Sequence, residues 1–297
     1  MNNYDILENH NFDQIIKEYK KQISDRSKRA SRIIKLLIVL YLVIMAVLIL
    51  ISPGILKGGA GTVSYCIFGG IVGVVLFVGL LISIYSSSEK PFHTLVMKEM
   101  VDYINITRDS NLEYIAYPKK QHFVNKTGGL FTRGASSDVI NKIIGKTDDY
   151  NTFSWYNMRL FTSDGKNQYT VFSGMYFVIE YSVGRVFQIR SHSKPHLKGV
   201  KFKRIDVDDP LRVFVEDGDI TSYVDDRFIK LVSDMKSRFN AKKIFLSSVD
   251  NQIHFAFEND EKLRKPKEMT KEVLTETVKK INSVVSVAND IVKVIKQ

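Results

Sequence analysis

Histidines and acidic residues are the side chains of this 297-residue sequence whose spacing could support metal or acid–base chemistry. His192 and His196 are four residues apart, the spacing that places two zinc ligands on one face of a helix. Because Pro195 lies between them and would break that helix, we predict a loop here rather than a zinc site. A second, acidic cluster lacks the glycine and the distal glutamate of an EF-hand loop, so we predict solvated turns there. Its members are Asp206, Asp208, Asp209, Glu216, Asp217 and Asp219.

Local signatures of catalysis are absent from the sequence. No HExxH, CxxC or GxSxG motif occurs, and the single cysteine, Cys66, falls inside an apolar run, which is typical of a small apolar residue. The glycines of residues 54–61 lack the Gly-Lys-Ser/Thr ending of a phosphate-binding loop. We therefore predict no catalytic, cofactor-binding or metal-binding residues, and the sequence favours a protein that is not an enzyme.

Two apolar segments near the N-terminus indicate how the rest of the chain is positioned. Leu36–Ser52 and Thr62–Tyr85 contain no charged residue, and a short glycine-rich connection separates them. Because about 20 apolar residues are needed to cross a bilayer, the second segment is long enough as it stands. The first is long enough only if it extends back through Ile33, with Lys35 reaching the headgroups. We predict two transmembrane helices that form a hairpin.

Basic residues indicate the orientation of this hairpin. Residues 1–35 hold eight Lys/Arg and five Asp/Glu, and Lys90 and Lys98 follow the second segment. The connection between the two segments holds only Lys57. Because basic residues favour the cytoplasmic side, we predict a multi-pass protein of the cell membrane with both termini in the cytoplasm. A leader of about 35 residues before the first segment is too long for a signal peptide, so we expect the anchor to be uncleaved.

Two smaller patterns concern the packing of these segments. Residues 11–23 carry apolar side chains at helical spacing, and such a helix could lie on the bilayer or pack on the protein. Gly69 and Gly73 form a small-xxx-small pair, which we expect to pack against the first span.

The remainder, residues 86–297, shows the pattern of an α+β domain with a largely antiparallel sheet. We thus divide the chain into a basic N-terminal segment (1–35), a two-span hairpin (36–85) and a cytoplasmic α+β domain (86–297). Predicted strands cover 154–161, 169–181, 185–190, 200–205, 212–215, 243–247 and 252–257. Predicted helices cover 91–106, 138–144 and 226–239, and a long helix begins near Thr270.

The long C-terminal helix has two interpretations. Leu274, Val278, Ile281 and further apolar residues follow the seam spacing of a coiled coil, so the helix could mediate self-association. Additional apolar residues widen the stripe into a broad face, which favours packing on a sheet of the same domain.

Several segments of the α+β region follow a pattern that is found in one bacterial family. These are 172–180 (FSGMYFVIE), 208–210 (DDP) before 213–215 (VFV), Asp219, 242–245 (KKIF) and 250–257 (DNQIHFAF). Over about 120 residues, from Gly174 to the end, the chain resembles the membrane-anchored family DUF3137, a domain of unknown function. It departs from that pattern at 222–227 and at 263–266. The resemblance implies a two-span anchor with a cytoplasmic α+β domain, and it implies no activity.

The charge distribution bears on the partners. The net charge of +11 is spread along the chain, which suits a protein beside anionic lipid. No dense basic block is interleaved with aromatic residues, so we predict no nucleic-acid binding. We predict a membrane-tethered module that binds a protein or lipid. The alternative is an enzyme or a small-molecule-binding domain without a local motif, which a pocket lined by Arg190, His192 and Asp219 would favour.

Overall fold

A computed structural model describes residues 12–51, 73, 79, 90–118, 127–131, 136–195, 197–207, 210–216, 224–259, 266 and 268–296. Two units form in the chain: Asn11–Val96 is one, and Met97–Gln297 belongs to the other. Most of the second predicted span, Thr62–Tyr85, lies outside the described residues, as does Cys66.

The unit Asn11–Val96 is organised around the 40-residue helix α1 (Phe12–Ile51). Phe12, Ile15 and Tyr19 are buried near its start, and α1 contacts a π-helical turn, Phe92–Val96. This burial favours the second of the two interpretations of residues 11–23, a helix that packs on the protein. No helix within the described residues is both long and apolar enough to cross a membrane.

The unit Met97–Gln297 contains one nine-stranded sheet, in which every neighbouring pair is antiparallel. Helix α2 (Met97–Arg108) precedes it, and the order across the sheet is β1-β2-β3-β4-β9-β8-β5-β7-β6. The strands are β1 (Glu113–Ala116), β2 (Ser136–Lys146), β3 (Thr152–Ser163), β4 (Gln168–Ile179), β5 (Phe187–Arg190), β6 (Phe202–Ile205), β7 (Arg212–Glu216), β8 (Lys243–Val249) and β9 (Gln252–Glu258). Helix α3 (Asp226–Arg238) lies between β7 and β8, and α4 (Lys271–Lys296) closes the chain. The prediction of an α+β fold with an antiparallel sheet and a long C-terminal helix is confirmed.

The two faces of the sheet differ in what covers them. On the first, here called the helix face, Phe187 packs on Phe228 of α3 and Phe257 packs on Phe239, with ring centroids 6.0 and 4.7 Å apart. On the second, the loop face, Phe131 packs on Phe172 at 4.6 Å. Side chains alternate between the faces along each strand, so neighbouring residues belong to separate environments.

The C-terminal helix α4 buries its broad apolar side within this unit. Leu274, Val284, Val287 and Ile291 are all buried, and α4 contacts both α2 and α3. Such burial favours intramolecular packing over a coiled-coil seam.

The prediction of a helix at 138–144 is wrong, because these residues lie in β2. Val139, Ile140, Ile143 and Ile144 have helical spacing over a stretch too short to separate a helix from a strand. The pairing with β3 also skips a residue between Val139 and Asn141, and this bulge disturbs the two-residue alternation that would have identified a strand. Strand β1 was not predicted at all.

Helix α3 begins at an aspartate cap whose contribution can be measured. The Asp225 carboxylate accepts a hydrogen bond from the backbone amide of Phe228 at 2.9 Å. We expect Asp225→Ala to reduce the free energy of unfolding by about 1 kcal/mol, because this amide loses its partner. Asp225→Asn keeps the accepting oxygen and is the matched control. Equal losses for the two variants in urea unfolding would contradict a capping role.

Candidate functional site

A row of buried polar side chains crosses the loop face of the sheet. His254 on β9 pairs with Ser247 on β8, and Ser247 pairs with Gln188 on β5. All three are at most 2% exposed. The hydroxyl of Tyr176, on β4, lies 2.7 Å from Nδ1 of His254. Polar groups buried this deeply need partners, and Gln188 and Ser247 both bond to one short segment.

That segment is Thr127–Phe131, here called the glycine segment. Ser247 Oγ donates to the carbonyl oxygen of Gly128 at 2.6 Å, and Gln188 Nε2 donates to the same oxygen at 3.3 Å. Gly128 has a φ of +57°, and a Cβ atom there would overlap the ring of His254. Only glycine allows the backbone to approach the sheet this closely.

Arg190 completes the attachment of the glycine segment. Its side chain is 1% exposed, and its Nη2 group donates to the carbonyl oxygens of Gly129 and Leu130 at 3.0 and 3.3 Å. Its Nε group donates to Gln188 Oε1 at 3.0 Å. Within the described part of the chain the acceptors of Arg190 are all uncharged, and desolvation lowers the pKa of its guanidinium to about 10.

These bonds decide what the row can do chemically. The Ser247 hydroxyl proton is directed to the Gly128 carbonyl, and His254 Nδ1 faces Tyr176. Burial lowers the pKa of His254 to about 4, so this imidazole is neutral at physiological pH. Serine and histidine are therefore not arranged as a nucleophile and its base. The arrangement is that of a buried polar network that holds the glycine segment on the sheet.

The pocket expected for an enzyme, lined by Arg190, His192 and Asp219, is not formed by the described residues. Arg190 is covered by Gly129 and Leu130, whereas His192 is exposed beside Phe245, with ring centroids 6.0 Å apart. Asp219 lies outside the described residues, as do His196, Asp208, Asp209 and Asp217.

The remaining candidate metal ligands are dispersed. Asp206 is exposed and contacts Arg204 at 3.5 Å. In the described ranges, no three His, Cys, Asp or Glu residues lie close enough together to hold a metal ion.

A cavity of about 120 Å³ lies on the opposite, helix face. Strands β3 and β4 contribute Trp155 and Met175, and the end of β9 is followed by Asn259, which also lines the cavity. Arg238 is the last residue of α3, Phe239 follows it, and Lys280 lies on α4. Two polar atoms of these residues, Trp155 Nε1 and Asn259 Oδ1, are buried, and neither has a hydrogen-bond partner among the residues that the structure describes.

The polar row on the loop face and the cavity on the helix face were not predicted from the sequence. The residues that form each of them lie far apart along the chain. Tyr176 and His254 are separated by 78 residues, and Ser247 and Gly128 by 119. One signal was available. The predicted hairpin joins 243–247 to 252–257 across a loop at 248–251, which would set Ser247 opposite Gln252. The structure instead has a tighter turn at Asp250 and Asn251, both with positive φ, and this turn sets Ser247 opposite His254.

Comparisons of the chain with protein-family models, with curated proteins and with solved structures find no match. The resemblance to the DUF3137 family therefore stays a prediction.

Proposed function

We propose that this chain is a membrane-tethered module, whose apolar hairpin holds the α+β unit at the cytoplasmic face of the cell membrane, where that unit binds a protein or lipid. The observation that carries the proposal is the C-terminal half of α1. Nine large apolar side chains between Ile33 and Val47 are exposed, up to 69% at Leu36. Five of them, at 36–40, are consecutive and therefore surround the helix. An apolar surface on every side of a helix suits lipid, whereas a docking face would be a stripe.

A close contact supports the hairpin. Gly73 lies in the second predicted span, and a Cβ atom added there would be 3.2 Å from Cε2 of Tyr41 on α1. This contact with Tyr41 supports the expected packing of Gly73 against the first helix. Small residues permit such approaches between neighbouring helices in a bilayer.

The charge pattern supports a cytoplasmic location of the α+β unit. Lysines and arginines from Lys17 to Lys35 occupy the half of α1 that precedes the apolar residues, and the loop between the spans has only Lys57. Juxtamembrane basic residues of this kind are attracted to anionic headgroups.

Membrane attachment is tested by adding charges to both predicted spans. We expect the full-length chain to stay in the pellet after alkaline carbonate extraction and a four-lysine variant to be released or degraded. Each lysine at the centre of a span costs about 2.5–3.5 kcal/mol of insertion free energy. The substituted residues are Leu40, Val43, Val75 and Val78.

The control carries four lysines at exposed polar positions outside the spans. They replace Ser24, Ser27, Gln168 and Thr170. Release of the unsubstituted chain by carbonate would contradict the proposal of an integral anchor. Equal release of the two variants would contradict it as well.

The binding role is tested with the native membrane. Affinity purification of the full-length chain, compared with the four-lysine variant, should recover a protein or an enriched lipid that the variant does not retain. Recovery of neither above background would count against a binding module.

A small-molecule-binding function is the second candidate. The cavity on the helix face favours it, because ligand sites are concave and largely apolar with a few convergent polar groups.

A further inference from the structure

The positive charge of the α+β region is concentrated in one stretch of its sequence. Residues 181–205 hold seven Lys/Arg and no Asp/Glu, whereas the rest of 86–297 holds 27 of each. Arg190 is buried and bonded to the glycine segment, and the other six cations are exposed. These six are Arg185, Lys194, Lys198, Lys201, Lys203 and Arg204. The charge excess of this region therefore lies at its surface.

The fold places most of these cations at one edge of the sheet. Strand β6 pairs with β7 on one side and is the last strand in the order across the sheet. Lys203 and Arg204 lie on β6, and Lys201 directly precedes it. Residues 201–205 are here called the basic edge. In the part of the chain that the structure describes, no strand pairs with the outer side of β6.

The cations of the basic edge are accessible to another chain. Arg204 contacts Asp206 at 3.5 Å, with side chains 58% and 95% exposed. An ion pair this exposed is weak, so an incoming carboxylate can compete for Arg204. Lys201 and Lys203 are exposed and form no ion pair with any described residue. By contrast, Lys243 on the interior strand β8 is held by a neighbouring carboxylate at 2.9 Å.

An open edge strand also offers backbone groups for pairing. Alternate N–H and C=O groups of such a strand point outward, and an extended segment can add to them. Charge selects the segment, because like charges on paired strands are destabilising and opposite charges are stabilising. A second copy of the basic edge is thereby disfavoured, and an acidic segment is favoured.

Both faces of the basic edge take part in this selection. Neighbouring residues of a strand face opposite sides of the sheet, so Lys203 and Arg204 place one cation on each face. Phe202 and Ile205 are half-buried and add one apolar side chain to each face. The matching segment therefore has acidic residues at adjacent positions, with apolar residues between the acidic pairs.

We propose that the basic edge binds an extended acidic segment of another protein, which adds as a strand beside β6. Adjacent carboxylates of the segment reach Lys203 and Arg204, and its apolar residues contact Phe202 and Ile205. This inference gives the proposed binding role a site, so it rests on that role but not on the membrane anchor.

The test measures the fluorescence anisotropy of a labelled peptide with the full-length chain in a non-ionic detergent. The probe is Val-Glu-Glu-Val-Glu-Glu-Val. One control peptide has Gln in place of every Glu and so lacks the charge. The other has Pro in place of every Val, so it keeps the charge but loses backbone N–H groups on both of its edges. We expect saturable binding of the probe and about tenfold weaker binding of each control, because strand addition needs both charge and backbone pairing.

Substitutions at the basic edge provide a matched comparison. The edge variant combines Lys201→Gln, Lys203→Gln and Arg204→Gln. The control variant also loses three exposed cations, but away from β6, through Lys166→Gln, Lys230→Gln and Lys279→Gln. We expect about tenfold weaker binding of the probe in the edge variant only. Circular dichroism of both variants distinguishes loss of binding from loss of fold. If the edge variant fails to fold, the comparison of the three peptides on the unsubstituted chain still decides.

Several results would overturn the proposal. They are the absence of saturable binding, equal affinity for the probe and either control peptide, and equal effects of the two triple variants. Binding of short-chain phosphatidylserine in place of the peptide, lost in the edge variant, would identify a lipid surface instead. Recovery of the same partner protein from native membranes by the edge variant and the unsubstituted chain would also overturn it, while leaving the proposed binding role in place.

Discussion

Replacing Gly174 by alanine is expected to lower the free energy of unfolding of the α+β unit by about 3 kcal/mol or more. A Cβ atom at this position would overlap the backbone carbonyl oxygen of Phe257, on the neighbouring strand β9. Because the obstacle is backbone in a paired central strand, it cannot rotate away as a side chain would. Strands β4 and β9 would have to separate locally, which also moves Asn259, whose backbone amide donates to the Ser173 carbonyl oxygen at 3.3 Å.

Gly165→Ala is the matched control for this substitution. Gly165 has a φ of +88° in the turn between β3 and β4, and no atom lies within 4 Å of an added Cβ. Its alanine variant should therefore lose only about 1 kcal/mol, the cost of a left-handed backbone conformation. Urea unfolding followed by the emission of Trp155 measures both variants. A loss for Gly174→Ala no larger than that for Gly165→Ala would contradict the close approach of the two strands.

Acidification is expected to cost the α+β unit about 3 kcal/mol through His254 alone. Burial lowers the pKa of this imidazole from 6.5 to about 4, and one pKa unit corresponds to about 1.4 kcal/mol. Above pH 6.5 the histidine is neutral in both folded and unfolded chains. Between pH 6.5 and 4 only the unfolded chain takes up the proton, so stability falls across this window. Below about pH 4 the folded chain is protonated as well, and the loss from this residue is complete.

His254→Gln isolates this contribution from that of the carboxylates. We expect the variant to be less stable than the unsubstituted chain at pH 7, because Tyr176 loses its imidazole partner, but to lose less stability between pH 6.5 and 4. His192→Gln is the control, because His192 is exposed. Unfolding curves at several pH values provide the measurement. An unchanged pH dependence in His254→Gln would show that this histidine does not enter the folded state uncharged.

Periodicity along the chain identified the elements that are long or regular. The strands β3, β4, β8 and β9 have β-branched and aromatic residues between clear turn signals, and α3 and α4 have sustained apolar stripes. Where the period is short or interrupted, the prediction was wrong or missing. Strand β2 carries a bulge and β1 has four residues, so neither presents a regular pattern long enough to recognise.

The candidate sites were decided by the tertiary structure alone. A strand pattern indicates that Trp155 and Ser247 are buried, but not which residues of other elements they meet. Arg190 looked like a candidate for a polar pocket, and the fold instead places it under Gly129 and Leu130. The cavity beside Trp155 and Asn259 forms only where α3, α4 and the sheet converge.

The sequence by itself determined the α+β class, the antiparallel hairpins and the apolar segment of α1, because these depend on local spacing and composition. The tertiary structure decided the register that aligns His254, Ser247 and Gln188, and the gap that leaves a cavity beside Trp155. Register and packing bring together residues separated by tens to more than a hundred positions. A hydrogen bond or a cavity wall brings together atoms that lie a few ångströms apart in space. The local pattern of the sequence therefore cannot reveal them.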